Sequence, residues 1–381
     1  MPPNNDYVRQ IDSDGFKQPF SFWRFVNLDA WLFFLLVVLA VTGLFVLYSA
    51  SDNGVSTIKR QGVYMLLGFG VMIIMAQIPM LFYKRLSPIL YLLGVGLLVA
   101  VLVMGTGAKG AQRWLVIPGV ISFQPSEIIK LAMPLMVAWF LAGQHLPPTF
   151  GKILVVLAIV AVPFVLVLIQ PDLGTSLLIA ASGLFVLFLS GLSYWYILGA
   201  LGVMVAASYP IWLFVLKPYQ KGRILTLLDP ERDPFGAGWN IMQSTTAIGS
   251  GGLEGKGWMQ GTQSQLNFLP ESHTDFIIAT LAEEFGFIGV LLLLLLYFLI
   301  FCRGLMLAWS ATTLFNKLLA GALILTFFVY VFVNMAMVSG LLPVVGVPLP
   351  LVSRGGTSIV TLMASFGLIM AVASDKQQFS S

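Results

Sequence analysis

Between Ile153 and Ser190 the chain is apolar almost throughout, and the one interruption is Gln170-Pro171-Asp172. A proline ends a helix and an unpaired acid resists burial in hydrocarbon, so the run reads as two membrane helices joined by a tight turn. The pattern recurs along the chain. Residues 28–50, 61–78, 86–104, 125–143, 193–216 (bent at Pro210), 275–301, 314–338 and 355–374 are each close to the roughly 20 apolar residues that cross a bilayer. Hydrophobic residues make up 58% and charged residues 9%, with a mean hydropathy of +0.93, where soluble domains carry about a quarter charged residues. The predicted fold is an all-α polytopic integral membrane protein of about ten transmembrane helices.

The same composition excludes several functions. Cys302 is the only cysteine, so neither an intrachain disulfide nor a cysteine-based metal site can form, and His145 and His273 are too few for a histidine cluster. A net charge of +4 with no basic patch interleaved with aromatics excludes nucleic acid as a partner. Residues 1–27 are polar and mixed in charge, unlike a cleavable signal peptide; they are expected to stay in the cytoplasm, with Phe20, Phe22, Trp23 and Phe25 at the interface beside Arg24. The expected plan is a cytoplasmic tail (1–27), a transmembrane domain (28–374) and a second cytoplasmic tail (375–381).

Parity then gathers the polar text on one face. The loops joining spans 3 and 4, 5 and 6, 7 and 8, and 9 and 10 must share a side. They hold Gln112-Arg113-Trp114 and Gln124-Pro125-Ser126-Glu127, then Gln170-Pro171-Asp172-Leu173-Gly174-Thr175, then the long hydrophilic segment 217–272, and finally Ser353-Arg354-Gly355-Gly356. The opposite loops are short and carry Lys84, Arg85, Lys152, Arg303 and Lys317. Short loops and tails on that opposite side hold about nine basic residues against about five, which predicts cytoplasmic termini and an extracytoplasmic polar face. Segments converging from several loops are how a site is built.

Within that face, Asp275 sits where the long loop ends at Pro270 and an apolar helix begins. An acid at the mouth of a membrane helix is expensive and marks a functional site; the competing reading is that Thr274 or Asp275 caps the helix. Glu127 and Lys130, three residues apart, either form a structural ion pair or line a substrate cavity. Asp172 either caps the helix opening at Gly174 and Thr175 or touches substrate. His273 tunes the neighbouring acid, binds a phosphate, or is an interfacial loop residue. Glu283 and Glu284, about two turns deeper, are assigned to partners between spans. The run Gly249-Ser250-Gly251-Gly252 with Gly255-Lys256-Gly257 is no ATP phosphate loop, because Ser250 and Gly257 break both ends of that pattern. A tight turn after a short amphipathic helix at 239–248, lying along the outer interface, is expected instead.

Several motifs in this order carry a resemblance: QRWL from Gln112, FQPSEIIKLA from Phe123, QPDLGTS from Gln170, DPERDPFGAGWNIMQSTTAIGSGGLEGKGW from Asp229, LPESHTDFIIATLAEEFGFIG from Leu269 and LPVVGVPLPLVSRGGTS from Leu342. Over nearly its whole length the chain resembles the SEDS family (shape, elongation, division and sporulation), its elongation-type branch more than its division-type branch. Val344 and Val345 stand where division-type members often carry a lysine. Arg354 follows Ser353 where a small or aromatic residue is common.

The resemblance implies a peptidoglycan glycosyltransferase that polymerises lipid II in the bacterial cytoplasmic membrane beside a class B penicillin-binding protein. Asp275 matches the family's essential aspartate, and as general base it would take the proton of the acceptor GlcNAc 4-hydroxyl as that oxygen attacks the donor MurNAc. An α-linked donor giving a β-1,4 glycan means inversion, in one displacement of undecaprenyl diphosphate. Arg113, Arg223, Lys256 and Arg354 are the cations on this face open to a diphosphate, and Glu127, Lys130, Asp172, His273 and Ser353 complete the expected substrate-binding set. No cofactor is assigned beyond a divalent cation that the diphosphate could bring. A lipid II flippase or transporter is the alternative function, and a non-catalytic scaffold a weaker third; a transporter would want internal repeats and midplane polar groups.

Overall fold

The computed structural model describes residues 26–51, 54–105, 113–117, 121–234, 236–266, 268 and 272–379. The expectations for Phe20, Phe22, Trp23, Arg24, Phe25, Gln112 and Pro270 lie outside the described residues. In chain order the helices are α1 (Ala30–Ala50), α2 (Val55–Gln77), α3 (Met80–Met104), α4 (Pro125–Ala142), α5 (Phe150–Ile169), α6 (Leu173–Leu189), α7 (Tyr194–Pro210, continued by a π turn Ile211–Val215), α8 (Pro218–Leu228), α9 (Ala237–Gly251), α10 (Thr262–Gln265), α11 (Ile277–Trp309), α12 (Leu314–Val338) and α13 (Thr357–Phe379). Nine described helices are long and apolar enough to cross a membrane, and the apolar α6, at 17 residues, is the tenth of the expected set. The break after α5 falls at Gln170, as Pro171 requires. Among the described residues the only strands are β1 (Leu115–Ile117) and β2 (Ile121–Phe123), an antiparallel hairpin in the loop before α4.

The bundle is centred on α12. Its residues 318–324 are all buried, so the helix is covered on every side, by α11, α6 and α4. α13 packs along α2, and α1 on α11. By contrast α7 buries none of its residues.

At one end of the bundle the two described ends of the chain are tied together. Ser374 donates to the Asn27 carbonyl at 3.0 Å, Asn316 to Asp375 at 2.8 Å, and Arg303 pairs with Asp29, which also caps α1 through Leu32. At the opposite end five loops meet, including the α1–α2 turn that parity also assigns to that face. Ser272 donates to the Ala50 carbonyl, Arg113 reaches the Gln170 and Pro171 carbonyls, and Arg354 donates its backbone N–H to His273.

α11 departs most from expectation. At 33 residues it is about 50 Å long, well beyond the hydrocarbon thickness, and it breaks at Gly286 (φ 62, ψ −162). Before the break, residues 277–284 are all buried within protein. This is how Glu283 and Glu284 are accommodated. The freed backbone is satisfied by the glycine-rich segment 252–257: Lys256 and Gly257 donate to the Glu283 and Glu284 carbonyls at 3.0 Å each, while Phe287 and Ile288 donate to Gly252 and Leu253 at 2.9 and 3.2 Å. A side chain at Gly286 would run into Leu253 O and Gly255 N. α9 is likewise docked on protein. Its stripe of Gly238, Ile241, Ser244, Ala247 and Gly251 is buried, it packs on α11, and Ser244 donates to Val338 at 2.9 Å.

Candidate active site

Asp275 belongs to the turn 272–276 just ahead of α11, and the N-cap of α11 is Phe276, with no side-chain capping bond. The N-cap position thus falls to neither Thr274 nor Asp275. What the turn offers instead is a pinned backbone. The His273 carbonyl accepts from Arg354 N at 3.0 Å, the Thr274 carbonyl from the Ser353 hydroxyl, and the Asp275 carbonyl from Asn334 Nδ2 at 2.9 Å. Asn334 is fully buried in α12 and also donates to Val347 at 2.7 Å. Three consecutive residues are thus held from two separate segments, and the Asp275 side chain stays half-buried at the end of the bundle. Gly346, at φ 76, faces it: a Cβ there would stand 3.5 Å from Asp275 Oδ2.

Ser353 is 2% exposed, and its hydroxyl accepts from Leu349 N at 2.9 Å while donating to Thr274, so it helps to position the turn. Gln61 of α2 extends the stitching, donating to the Ser353 carbonyl at 3.0 Å and accepting from Gly355 N at 3.3 Å.

The expected cations sort by what they already touch. Arg113 donates to Gln170 and Pro171 carbonyls and stands 3.6 Å from Asp172, which caps α6 through Thr175 N at 3.2 Å and accepts from Gln124 at 3.3 Å. Arg113 and Asp172 therefore join two loops to each other. Lys256 lies 2.7 Å from the fully buried Glu283 and 2.9 Å from Thr262, while Gln263 N also donates to Glu283. Its ammonium, on a side chain 28% exposed, neutralises that acid. Arg223, on α8, is half-buried and has no side-chain partner among the described residues. Glu127 and Lys130 form the anticipated ion pair at 2.6 Å, with the ammonium 5.5 Å above the Tyr330 ring. Glu127 Oε2 is buried without a partner among the described residues. Both residues, with Ser353 and Ser358, line a narrow cavity of about 50 Å³ between α4, α12 and α13.

A larger polar cavity of about 290 Å³ lies beside the turn, walled by Thr57, Arg60, Gln61, Tyr64, Trp114, Thr274, Arg354, Gly356 and Thr357. Sequence reasoning missed Arg60, Gln61 and Tyr64. The available signal was parity itself, which puts the α1–α2 turn on the same face as the loops that were considered. Among the described residues no three His, Cys, Asp or Glu side chains gather where a metal could be held.

The pattern of the FtsW/RodA/SpoVE family of cell cycle proteins matches residues 27–378. The peptidoglycan glycosyltransferase MrdB of Escherichia coli (strain K12) is 52% identical over 361 residues, covering 94% of this chain and 97% of MrdB. A probable peptidoglycan glycosyltransferase FtsW of Trichlorobacter lovleyi is 35% identical over 372 residues, covering 94% and 95%. A solved chain from a study of the coordination of polymerization and crosslinking by a peptidoglycan synthase complex superposes with a TM-score of 0.81 at 31% identity, covering 92% of this chain and 99% of that one. The rod shape determining protein RodA of Thermus thermophilus superposes with a TM-score of 0.69 at 28% identity, covering 92% and 97%.

Proposed function

The chain belongs to the FtsW/RodA/SpoVE family of cell cycle proteins, and from that premise we propose that it polymerises lipid II with Asp275 as general base. It is a multi-pass inner-membrane protein and a peptidoglycan glycosyltransferase. The observation that carries the mechanism is the turn 273–275, whose three successive carbonyls are each taken by a different donor, so the backbone that carries the Asp275 carboxylate is fixed. A base must lie within about 2.6–3.2 Å of the proton it removes, and fixing its backbone is how that reach is kept from one turnover to the next.

In this reading the acceptor GlcNAc 4-hydroxyl gives its proton to Asp275 as its oxygen bonds to the anomeric carbon of the donor MurNAc. The bond from that carbon to the diphosphate breaks on the opposite side, which inverts the configuration and needs no covalent enzyme intermediate. A divalent cation taking part would be held mainly by the substrate's own phosphate oxygens, since no group of three acidic, histidine or cysteine side chains stands ready among the described residues. The end of the bundle bearing Asp275 faces outward and the termini are cytoplasmic, which the excess of Lys and Arg on the tied end supports. The partner is a class B penicillin-binding protein that crosslinks the strands; the likeness to a chain studied for coordinated polymerization and crosslinking supports that pairing.

The experiment is to give the purified full chain, with its partner, lipid II in detergent and to separate the products by gel. Glycan strands are expected. Unchanged lipid II, together with its passage across liposomes holding the same protein, would replace polymerisation by transport.

A further inference from the structure

Resting on the glycosyl-transfer reading above, we propose that the cavity between Arg60 and Arg354 is the subsite for the donor's diphosphate, held by those two guanidinium groups. The cavity reaches Thr274, the residue immediately before Asp275, so it adjoins the base without containing it. The reaction needs that arrangement. The new oxygen–carbon bond forms on one side of the anomeric carbon, with the hydroxyl proton passing to Asp275. The bonding pair of the broken bond departs on the other side with the diphosphate oxygen, whose growing charge must be met by donors already in place.

The chemistry of the wall selects an anion. Arg60 and Arg354 are exposed, and among the described residues neither side chain has a hydrogen bond or ion pair and no carboxylate lines the cavity. Two cations facing one polar space repel, and an anion bridging them removes that cost. Guanidinium forks match phosphate oxygens. The opening of α13 adds to this. Gly356 and Thr357 line the cavity at the start of a 23-residue helix, whose N-terminal end favours negative charge. A Cβ at Gly356 would stand 3.3 Å from the Tyr64 ring, so the backbone approaches the wall as closely as a glycine permits. The two arginines come from different segments, yet Gln61 bonds to both Ser353 O and Gly355 N and fixes their spacing. Of the other cations considered, Arg113 and Lys256 are engaged by Asp172 and Glu283, and Arg223, on α8, does not line this cavity. Donor and acceptor both carry a lipid diphosphate. The acceptor's lies a disaccharide away from its reacting hydroxyl, and a cavity adjoining the base therefore suits the donor's.

The test is binding of undecaprenyl diphosphate, the leaving group itself, to the purified full chain by titration, for wild type, Arg60→Gln, Arg354→Gln and Asp275→Asn. Each arginine variant is expected to bind it about tenfold more weakly, on the scale of one charge-assisted hydrogen bond, with Arg60→Lys recovering part of the loss. Undecaprenol, which has the tail without phosphate, should bind all variants alike, and Asp275→Asn, which removes a negative charge beside the cavity, should bind undecaprenyl diphosphate at least as tightly as wild type does. Wild-type affinity in both arginine variants overturns the subsite while leaving Asp275 untouched. Polymerisation by Asp275→Asn at the wild-type rate overturns instead the reading on which the subsite rests.

Discussion

Asn334→Leu separates the positioning of Asp275 from the stability of the fold. Asn334 is fully buried, donates to the Asp275 and Val347 carbonyls at 2.9 and 2.7 Å, and leaves its own Oδ1 without a partner. Substitution leaves the Asp275 and Val347 carbonyls without their donor, at about 1–3 kcal/mol each. Removing the orphaned oxygen returns about 1–3 kcal/mol, and leucine fills a similar volume, so the net loss is about 1–3 kcal/mol. Thermal melting of the purified chain should therefore fall modestly while the fold persists. Activity should not be spared, because a displacement of about 1 Å at a reacting group costs on the order of 100-fold. In a lipid II polymerisation assay the variant is expected to show kcat reduced about 10–100-fold with KM within about twofold of wild type, the signature of an interaction that matters only in the transition state. Wild-type kcat with a normal melting curve would refute the claim that the pinned turn sets the reactivity of Asp275.

Other predictions follow from the same geometry. Glu283→Gln should lower stability by about 1–3 kcal/mol through loss of the charge-assisted bond from Lys256, while Glu283→Gln with Lys256→Met should recover part of it; additive losses in a double-mutant cycle of melting would argue against the pair. Gly286→Ala should be poorly tolerated, since φ 62 already costs a side-chain residue about 1–3 kcal/mol before its Cβ meets the 253–255 backbone; normal yield and melting would show that the helix break is dispensable. In a Cys302→Ala background, Leu253→Cys, at an exposed position of the glycine-rich segment, should react with an impermeant maleimide in intact spheroplasts, and labelling only after lysis would reverse the proposed sidedness.

The transmembrane helices were legible because each is a long apolar run with a physical reason to stop, as Pro171 stops α5 and Gly105 follows α3. Their ends were less so. α2 begins at Val55 rather than at residue 61, because the charged Lys59 and Arg60 reach solvent from the first turns of the helix while Gln61 turns inward to the segment before α13. The Glu127–Lys130 pair could be read from spacing alone, since residues three apart share a helix face. The engagement of Lys256 by Glu283, 27 positions apart, could not, because it depends on a helix break at Gly286 that nothing local announces. The same holds for Ser353. Its motif advertises a polar residue near the site, yet only the fold reveals that its hydroxyl bridges Leu349 and Thr274.

The most direct measurement is the amount and length of glycan strand made from purified lipid II by Asp275→Asn beside wild type, at equal protein and with matched melting curves. The account predicts a loss of about 100-fold or more for a substitution that keeps the shape of the side chain and removes its basicity. Strands of wild-type length and yield from the Asp275→Asn protein would contradict it.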